Sequence, residues 1–407
     1  MSPLRRGRAL LALPLARTSA LLGINTLVAG GLGFVFWTIA ARTLPAAEVG
    51  RASAYTAGIG LLVALAALGL PETLIRHLPH SRTPRALVGR MAALSGGVGA
   101  LAGAAFLAVP ASGAVSLPLG LPVAIGITVS LLLLGLANAT LLAERRAPAI
   151  LAGSLATGIA KGLALLLALD AAGAVAAYGI GALAGVAVAG TVAYRGLPRQ
   201  AVTGDGTDVA LRGYALANWV SGAASLLPLA LAPSLLLERA GAEAAAYAAI
   251  PLLLLTFLTL PPAVVARTLF AEASRHPERT GTLARRGLAL ATAGSLCALA
   301  GTVTFASLVL SLFGEAYAAQ GAPLLVLLAV ASLVAVPNYF IDAVLNVRRD
   351  TAAYAFVNVA GSGAVALAVI LLARDPLSLG VAWIAGQAAY LVIAGSTLLY
   401  RRRFPHA

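Results

Sequence analysis

The chain has 407 residues, of which 60% are hydrophobic and only 10% are charged, a composition too apolar for a soluble globular domain. Its net charge of +14 is dispersed over short segments without aromatic interleaving, so we expect no nucleic-acid partner. The single cysteine, Cys297, allows neither a disulfide framework nor a cysteine metal site.

Twelve apolar stretches of about 20 residues follow one another, and each is long enough to cross the hydrocarbon core of a bilayer. They predict an all-α membrane protein with twelve transmembrane helices. The predicted spans are 18–41, 50–70, 91–110, 121–143, 149–169, 174–194, 214–237, 244–266, 287–313, 322–346, 351–373 and 378–400.

The basic residues crowd into alternate gaps between these spans. The N-terminal tail, the even-numbered gaps and the C-terminus hold 23 of the 28 Lys and Arg, and the odd-numbered gaps hold Arg42, Arg51, Arg239 and Arg374. Short loops rich in Arg stay in the cytoplasm. We therefore expect a multi-pass protein of the cytoplasmic membrane with both termini inside, in contact with anionic membrane lipids. The remaining cation, Lys161, is the only lysine and lies within the fifth span.

The polar segment 194–213 reads as a linker, and it divides the chain into two pseudo-symmetric lobes of six helices, 1–200 and 201–407. Landmarks recur in the same order in both halves, which indicates an internal duplication. The matched landmarks are Asn25 and Asn218, Glu48 and Glu243, Pro71 and Pro262, Arg76 and Arg267, Arg145-Arg146 and Arg348-Arg349, and "LALD" (167–170) and "LARD" (372–375). Because six helices return the chain to its starting side, the repeats are parallel, an arrangement that in transporters puts the substrate path between the halves.

Catalytic motifs are missing from the sequence. The segment "GSLATGIAKG" (153–162) comes nearest to a phosphate-binding loop, but it ends in Lys-Gly inside a predicted helix. The predicted outer loops are too short to carry the active site of a membrane glycosyltransferase. We therefore expect no enzyme, no cofactor and no metal site, and instead the movement of a substrate across the bilayer.

Charges within the spans are the first candidates for substrate contact. Lys161 lies about twelve residues into its predicted helix, near the bilayer midplane, where an isolated lysine costs ~2.5–3.5 kcal/mol. It is a cation facing an anionic substrate, the structural partner of an acid elsewhere, or a residue whose span is misplaced. Asp342, in the tenth span, binds a coupling ion, pairs with Lys161 or extends toward the inner interface.

Four arginines near the helix ends are further candidates. Arg42 and Arg51 flank the outer turn beside Glu48, against the topology bias, and either contact the substrate or form an interfacial ion pair. Arg76 and Arg267 hold matched positions at the inner ends of two helices. They either form a positively charged entrance to the substrate path or are ordinary positive charges on the cytoplasmic side.

Asn25 and Asn218 are matched amides in the first and seventh spans, and they either contact the substrate or bond neighbouring helices. The same choice holds for the amides Asn138, Asn338, Asn358 and Gln387. Prolines predict bends in the seventh, eighth and tenth spans, at Pro228, Pro233, Pro251, Pro261 and Pro337.

Three stretches carry a family resemblance: Asn25 with "GFVFWTIAARTLPAAEVG" (33–50), "LGLPETLIRHLP" (68–79) and "LFGEAYAAQGAPLLVLLAVASLVAVPNYFIDAVL" (312–345). They resemble the polysaccharide (O-antigen-type) flippases of the multidrug/oligosaccharidyl-lipid/polysaccharide exporter superfamily. The resemblance implies two lobes facing each other across a cationic cavity, which flip an undecaprenyl-diphosphate-linked oligosaccharide to the outer leaflet by alternating access. It also implies glycosyltransferases or a polymerase of the same pathway as partners.

Lys161, Arg42 and Arg51 are then the candidates that hold the diphosphate, because cations in a low-dielectric cavity attract it strongly. Two other functions stay open. One is a drug or metabolite antiporter of the same architecture, although Asn25 and Asn218 stand in the helices where that branch carries an acid. The other is a non-transporting membrane scaffold for envelope synthesis.

Overall fold

A computed structural model describes residues 14–108, 120–198, 210–275, 280–348 and 350–403, and these residues form helices and turns without a β-strand. Twelve of the helices are long and apolar enough to cross a membrane, one for each predicted span. The prediction of a twelve-helix, all-α membrane protein is therefore confirmed. The linker 194–213 and the predicted boundary at 200/201 fall largely outside the described residues, so the two-lobe division stays a prediction.

We number the twelve spans α1 to α12 and give a letter to each part of a broken one. In chain order they are α1 Pro14–Thr43, α2a Ala46–Ala66, α2b Leu70–His77, α3 Pro84–Ala108, α4 Leu121–Ala143, α5 Ala147–Leu165, α6 Ala171–Gly196 (with a π turn at Val186–Gly190), α7 Ala210–Ala240, α8a Ala242–Leu258, α8b Leu260–Arg275, α9 Thr280–Ser311, α10a Glu315–Val334, α10b Val336–Val347, α11 Thr351–Leu372 and α12 Pro376–Arg403.

Prolines explain two of the breaks. The eighth span is interrupted at Thr259, just before Pro261 and Pro262, and the tenth at Ala335, just before Pro337. Proline has no N–H and its ring crowds the carbonyl four residues earlier, so the helical ladder stops there. The other predicted bends do not interrupt their helices, because α7 and α8a run continuously through their internal prolines.

Local features repeat between the two halves. The second span breaks at Leu68 and Gly69, both with positive φ, just before Pro71, which matches the break before Pro262. At the start of the sixth helix Asp170 accepts a hydrogen bond from the backbone N–H of Gly173 at 2.8 Å. At the start of the twelfth helix the matched Asp375 accepts one from Ser378, also at 2.8 Å. These matched caps and breaks support the internal duplication.

The chain separates into two compact units. Of the described residues, unit 1 contains 14–43, 65–108 and 120–198, and unit 2 contains Leu44–Ala64 and those from Ala210 onward. Within unit 2, the indole N–H of Trp219 donates to the carbonyl of Ala64 at 2.9 Å. A Cβ added to Gly50 would collide with the backbone carbonyl of Ala242, so α2a and α8a approach at backbone distance there.

Arginines close several helix ends within each unit. In unit 1 the guanidinium of Arg146 donates to the carbonyl of Val192 at 2.9 Å, and that of Arg85 donates to Leu197 at 2.7 Å. In unit 2 Arg239 donates to the carbonyls of Ile370 and Ala373, both at 2.7 Å, near the end of α11. A cation at a helix C-terminus donates hydrogen bonds to backbone carbonyls that have no partner within the helix, and it interacts favourably with the negative end of the helix dipole. These three arginines therefore stabilise helix ends.

Candidate functional site

Lys161 lies in α5, whose ends define its depth. The helix begins at Ala147 and ends at Leu165, so Lys161 stands four residues before the end. At ~1.5 Å per residue it is about 6 Å from that end and about 21 Å from the start. The helix therefore ends four residues before the predicted end at 169, and the depth of Lys161 in the bilayer stays a prediction. The apolar run after Leu165 belongs to a turn and not to the helix.

Two aromatic rings hold the ammonium group of Lys161, which is only 9% exposed. Its Nζ atom lies 5.2 Å from the ring centre of Phe36 in α1 and 5.4 Å from that of Tyr178 in α6. Glycines let the three helices come this close, because a Cβ at Gly158 would overlap Leu32 and one at Gly181 would lie 2.7 Å from the Lys161 Cβ. We call this arrangement the lysine cage.

The lysine cage stabilises the cation without neutralising it. Each desolvated cation–π contact contributes up to ~2 kcal/mol, so the two rings offset part of the cost of burying the ammonium group. Among the described residues of unit 1 no carboxylate pairs with Lys161, and its three N–H donors have no acceptor there. The positive charge is therefore not neutralised by any described carboxylate of unit 1.

A second polar site lies in unit 2, in a cavity of about 260 Å³. It is bordered by residues of α7, α8, α10, α11 and α12, and it sits where Thr259 and Ala335 interrupt the eighth and tenth helices. Broken transmembrane helices often mark binding sites, because irregular backbone is tolerated where it lines a cavity. Its main polar and aromatic lining is Asn338, Tyr339, Asp342, Asn358, Gln387 and Tyr390.

Hydrogen bonds connect this lining across helices. Asn358 donates to the Asp342 carboxylate at 3.1 Å and accepts from the Tyr390 hydroxyl at 3.1 Å. The amide of Asn338 donates to that of Gln387 at 3.2 Å, which leaves the Oδ1 atom of Asn338 buried with no partner among the described atoms. These amides bond neighbouring helices, which is one of the two roles that the sequence left open. Asp342 has no ion-pair partner among the described residues of its unit, so its predicted ion-coupling role stays a prediction.

The arginines beside the turn between α1 and α2a lie at the surface. Arg42 is exposed at the end of α1. Arg51 is also exposed, and its guanidinium forms an ion pair with Glu48 one turn earlier in α2a. This pairing is the interfacial arrangement that the sequence left open, and an exposed pair contributes little energy.

The structure describes the side chains of only some of the remaining predicted residues. Arg267 is exposed on α8b. Asn25 is half-buried in α1, and its Oδ1 atom has no hydrogen-bond partner among the described residues. Arg76 lies in α2b and Asn218 in α7, but their side chains are outside the described part of the chain. Their candidate roles in substrate binding stay predictions.

Sequence reasoning missed the aromatic partners of both sites. Phe36 lies 125 residues before Lys161, and Tyr178 lies in the next helix, α6, at a position that nothing in the sequence marks. Trp383 and Tyr390 are two of many residues in the largely apolar α12. The only feature that marks these residues in the sequence is that they are aromatic, in a chain with 6% aromatic residues. No cluster of three or more His, Cys, Asp or Glu side chains suited to a metal occurs among the residues that the structure describes.

Known structures share this fold. An inward-facing multidrug resistance MATE family transporter of the MOP superfamily matches with a TM-score of 0.67 and 14% identity, covering 95% of this chain and 97% of the other. The lipid II flippase MurJ in an inward closed conformation matches with a TM-score of 0.65 and 11% identity over 93% and 91%. A MOP superfamily transporter from Pyrococcus furiosus, described as having a binding pocket of reverse polarity, matches with a TM-score of 0.55 and 17% identity over 97% and 94%.

Sequence comparison supplies the family. No curated protein matches the chain. The family described as "Polysaccharide biosynthesis protein" matches residues 15–247, more than half of the sequence. This family and the shared fold confirm the predicted resemblance, and the twelve apolar helices make the chain a multi-pass membrane protein. The chain belongs to the polysaccharide biosynthesis protein family.

Proposed function

We propose that the protein flips a polyprenyl-diphosphate-linked oligosaccharide across the cytoplasmic membrane by alternating access, for the export of cell-surface polysaccharide. The lysine cage supports the proposal, because Lys161 lies between Phe36 and Tyr178 and pairs with no carboxylate among the described residues of its unit. A diphosphate cannot enter hydrocarbon unaided, and a cation in a low-dielectric site attracts it much more strongly than a cation in water. The family and the flippase-type fold support the same substrate class.

In this mechanism the ammonium group of Lys161 donates charge-assisted hydrogen bonds to diphosphate oxygens. The rings hold the ammonium in place while no substrate is bound, so no carboxylate has to be displaced before the diphosphate enters. A salt bridge at this position would cancel the charge and would have to break first. The glycan and the polyprenyl chain contact other parts of the protein.

Binding of a fluorescent short-chain polyprenyl diphosphate to the purified full-length protein tests the proposal. Lys161→Ala should weaken binding roughly 10- to 100-fold, the loss expected for a charge-assisted hydrogen bond of ~1.5–3 kcal/mol. Lys161→Arg should keep most of the affinity, because a guanidinium also stacks on aromatic rings and binds phosphate. Arg374→Ala, which removes the same charge from an exposed site, is the matched control.

Transport assays in proteoliposomes separate the alternatives. Movement of the labelled diphosphate lipid between leaflets, lost in Lys161→Ala, is the result that the flippase requires. Efflux of a cationic dye driven by a proton gradient, with no lipid movement, would identify a drug or metabolite antiporter. A protein that moves neither probe, yet is needed for polysaccharide export in cells, would be a scaffold.

A further inference from the structure

The cavity of unit 2 contains polar groups with bonding capacity that the protein itself does not use. Asn338 is 4% exposed, and its Oδ1 atom accepts no hydrogen bond from any described residue. A buried, unsatisfied carbonyl oxygen costs ~1–3 kcal/mol, and a cavity at that position provides space for a ligand that satisfies it.

The amide pair of Asn338 and Gln387 offers a donor as well as an acceptor. One N–H of Asn338 donates to Gln387 Oε1, so the NH₂ group of Gln387 and the carbonyl oxygen of Asn338 are left over. If both amides were turned around, the pair would again leave one NH₂ group and one carbonyl oxygen. The pair therefore suits a ligand that both accepts and donates hydrogen bonds.

Asp342 adds acceptor capacity beside this pair. It lies four residues after Asn338, so the two side chains project from the same face of α10b. Asn358 occupies one site on Oδ1, and a carboxylate has about four lone-pair sites. Tyr390 and Tyr339 border the same space, and so does Trp383, which is 6% exposed. The cavity thus combines acceptors, a donor and aromatic surface.

This combination suits several other ligand classes less well. A diphosphate would be repelled by the carboxylate of Asp342, and a bare metal cation has no use for the NH₂ group of Gln387. An apolar molecule would leave the amides and the carboxylate unpaired, at a cost for each group. A neutral sugar ring uses every element, because its hydroxyls donate to Asp342 and Asn338 and accept from Gln387, while its C–H face packs on an aromatic ring.

The size of the cavity narrows the choice further. Its volume of about 260 Å³ is slightly below the ~300–1,000 Å³ of sites for drug-sized ligands. One pyranose ring fits such a space.

We propose that the unit 2 cavity binds one neutral monosaccharide unit of the glycan that the lipid carries, through Asp342, Asn338 and Gln387. This inference rests on the proposed function, since it assumes a glycan-bearing substrate. It assigns the glycan to unit 2 and the diphosphate to the lysine cage of unit 1. The two sites then recognise chemically different parts of one substrate.

Tryptophan fluorescence provides the test, because the chain has three tryptophans and Trp383 borders the cavity. The full-length variant Trp37→Phe with Trp219→Phe, purified in detergent, leaves Trp383 as the only reporter. It is titrated with glucose, galactose and N-acetylglucosamine, with the open-chain polyol mannitol for comparison, and separately with NaCl. We expect a saturable change with at least one sugar and none with mannitol.

Substitutions then locate the site. Asp342→Ala, Asn338→Ala and Gln387→Ala should each weaken sugar binding about tenfold or more, the loss expected when a buried hydrogen bond to a substrate hydroxyl is removed. Gln320→Ala is the matched control and should leave binding unchanged, because Gln320 is an exposed amide near the other end of the tenth span from Asn338 and Asp342. Size-exclusion profiles and thermal unfolding show whether each variant is folded.

The outcomes separate this inference from the function on which it rests. Sugar binding that survives Lys161→Ala, while diphosphate binding is lost, supports two distinct sites. Absence of any sugar response in a protein that still flips the diphosphate lipid overturns the sugar site and leaves the flippase intact. A response to NaCl alone, abolished in Asp342→Ala, also overturns it and makes the cavity a cation site.

Discussion

The two halves of the chain share their framework and differ in their charges. Matched aspartates, Asp170 and Asp375, cap the sixth and twelfth helices, and matched breaks precede Pro71 and Pro262. Lys161 stands sixteen residues after Arg145, but sixteen residues after Arg348 the second half has Ala364. Asp342 stands six residues before Arg348, where the first half has Ala139. The repeated positions build the scaffold, and the unmatched charges are where the halves acquired different chemistry.

Reversing the charge at Lys161 tests the difference between the two halves most directly. Lys161→Glu should abolish binding of the polyprenyl diphosphate, at least ~100-fold, because a like charge replaces the attractive one. Asp342→Asn in the second half should change the same affinity by less than about threefold, since that residue is assigned to the sugar. Fluorescence anisotropy of the labelled polyprenyl diphosphate measures the affinity of both variants. Equal losses in both variants would contradict the division of labour.

The close contact of α2a with α8a predicts the next largest effect. Gly50→Ala should lower the free energy of unfolding by ~1–3 kcal/mol, because the added methyl overlaps the carbonyl of Ala242. The matched position in the second half already carries a buried alanine, Ala245. Thermal unfolding in detergent checks the expectation.

A control on the same helix makes the Gly50 experiment specific. A Cβ at Gly60 would meet no atom within 4 Å, so Gly60→Ala should be neutral or slightly stabilising. If Gly50→Ala proved as harmless as Gly60→Ala, the backbone contact assigned to unit 2 would be wrong.

The lysine cage predicts an effect of intermediate size. Phe36→Leu keeps an apolar side chain but removes one ring, so diphosphate binding should weaken by about 3- to 30-fold, in line with ~0.5–2 kcal/mol per cation–π contact. Tyr178→Phe keeps the ring and should change affinity less than about twofold. The same binding assay measures both, and a larger loss in Tyr178→Phe would show that the hydroxyl matters and not the ring.

The smallest difference is expected where the halves agree. Asp170→Ala and Asp375→Ala each remove an N-cap hydrogen bond of 2.8 Å, and each should cost about 1 kcal/mol of stability. Chemical denaturation of the two variants should give losses within about 0.5 kcal/mol of each other. Neither variant should alter the affinity for the diphosphate probe. Unchanged affinity would show that these residues stabilise the fold and do not contribute to binding.

Most of the fold follows from the sequence because a bilayer imposes one length on every helix. Runs of about 20 apolar residues located all twelve spans, and Pro261 and Pro337 located two of the breaks. The end of α5 was misjudged because Leu166, Leu167 and Leu169 are apolar although they lie in a turn after the helix. Hydropathy cannot distinguish such a turn from one more helical turn.

The candidate sites could be predicted only in part. Lys161 and Asp342 were visible because charge is rare within apolar spans. Their surroundings were not, since they depend on which helices pack together: Phe36 precedes Lys161 by 125 residues, and Gln387 follows Asp342 by 45. A single sequence contains no information on such pairings, whereas the hydrogen-bonded amides within each helix were recognisable by type.

The solitary lysine has a practical consequence for studying this protein. The other 27 basic residues are arginines, so the chain has one ε-amino group, and amine-reactive reagents have no internal target besides Lys161. Its aromatic shielding makes the labelling rate a measure of how often the cage opens. With reagents that cannot cross the membrane, supplied on one side or the other, a single modification reports from which face of the bilayer the site is reached.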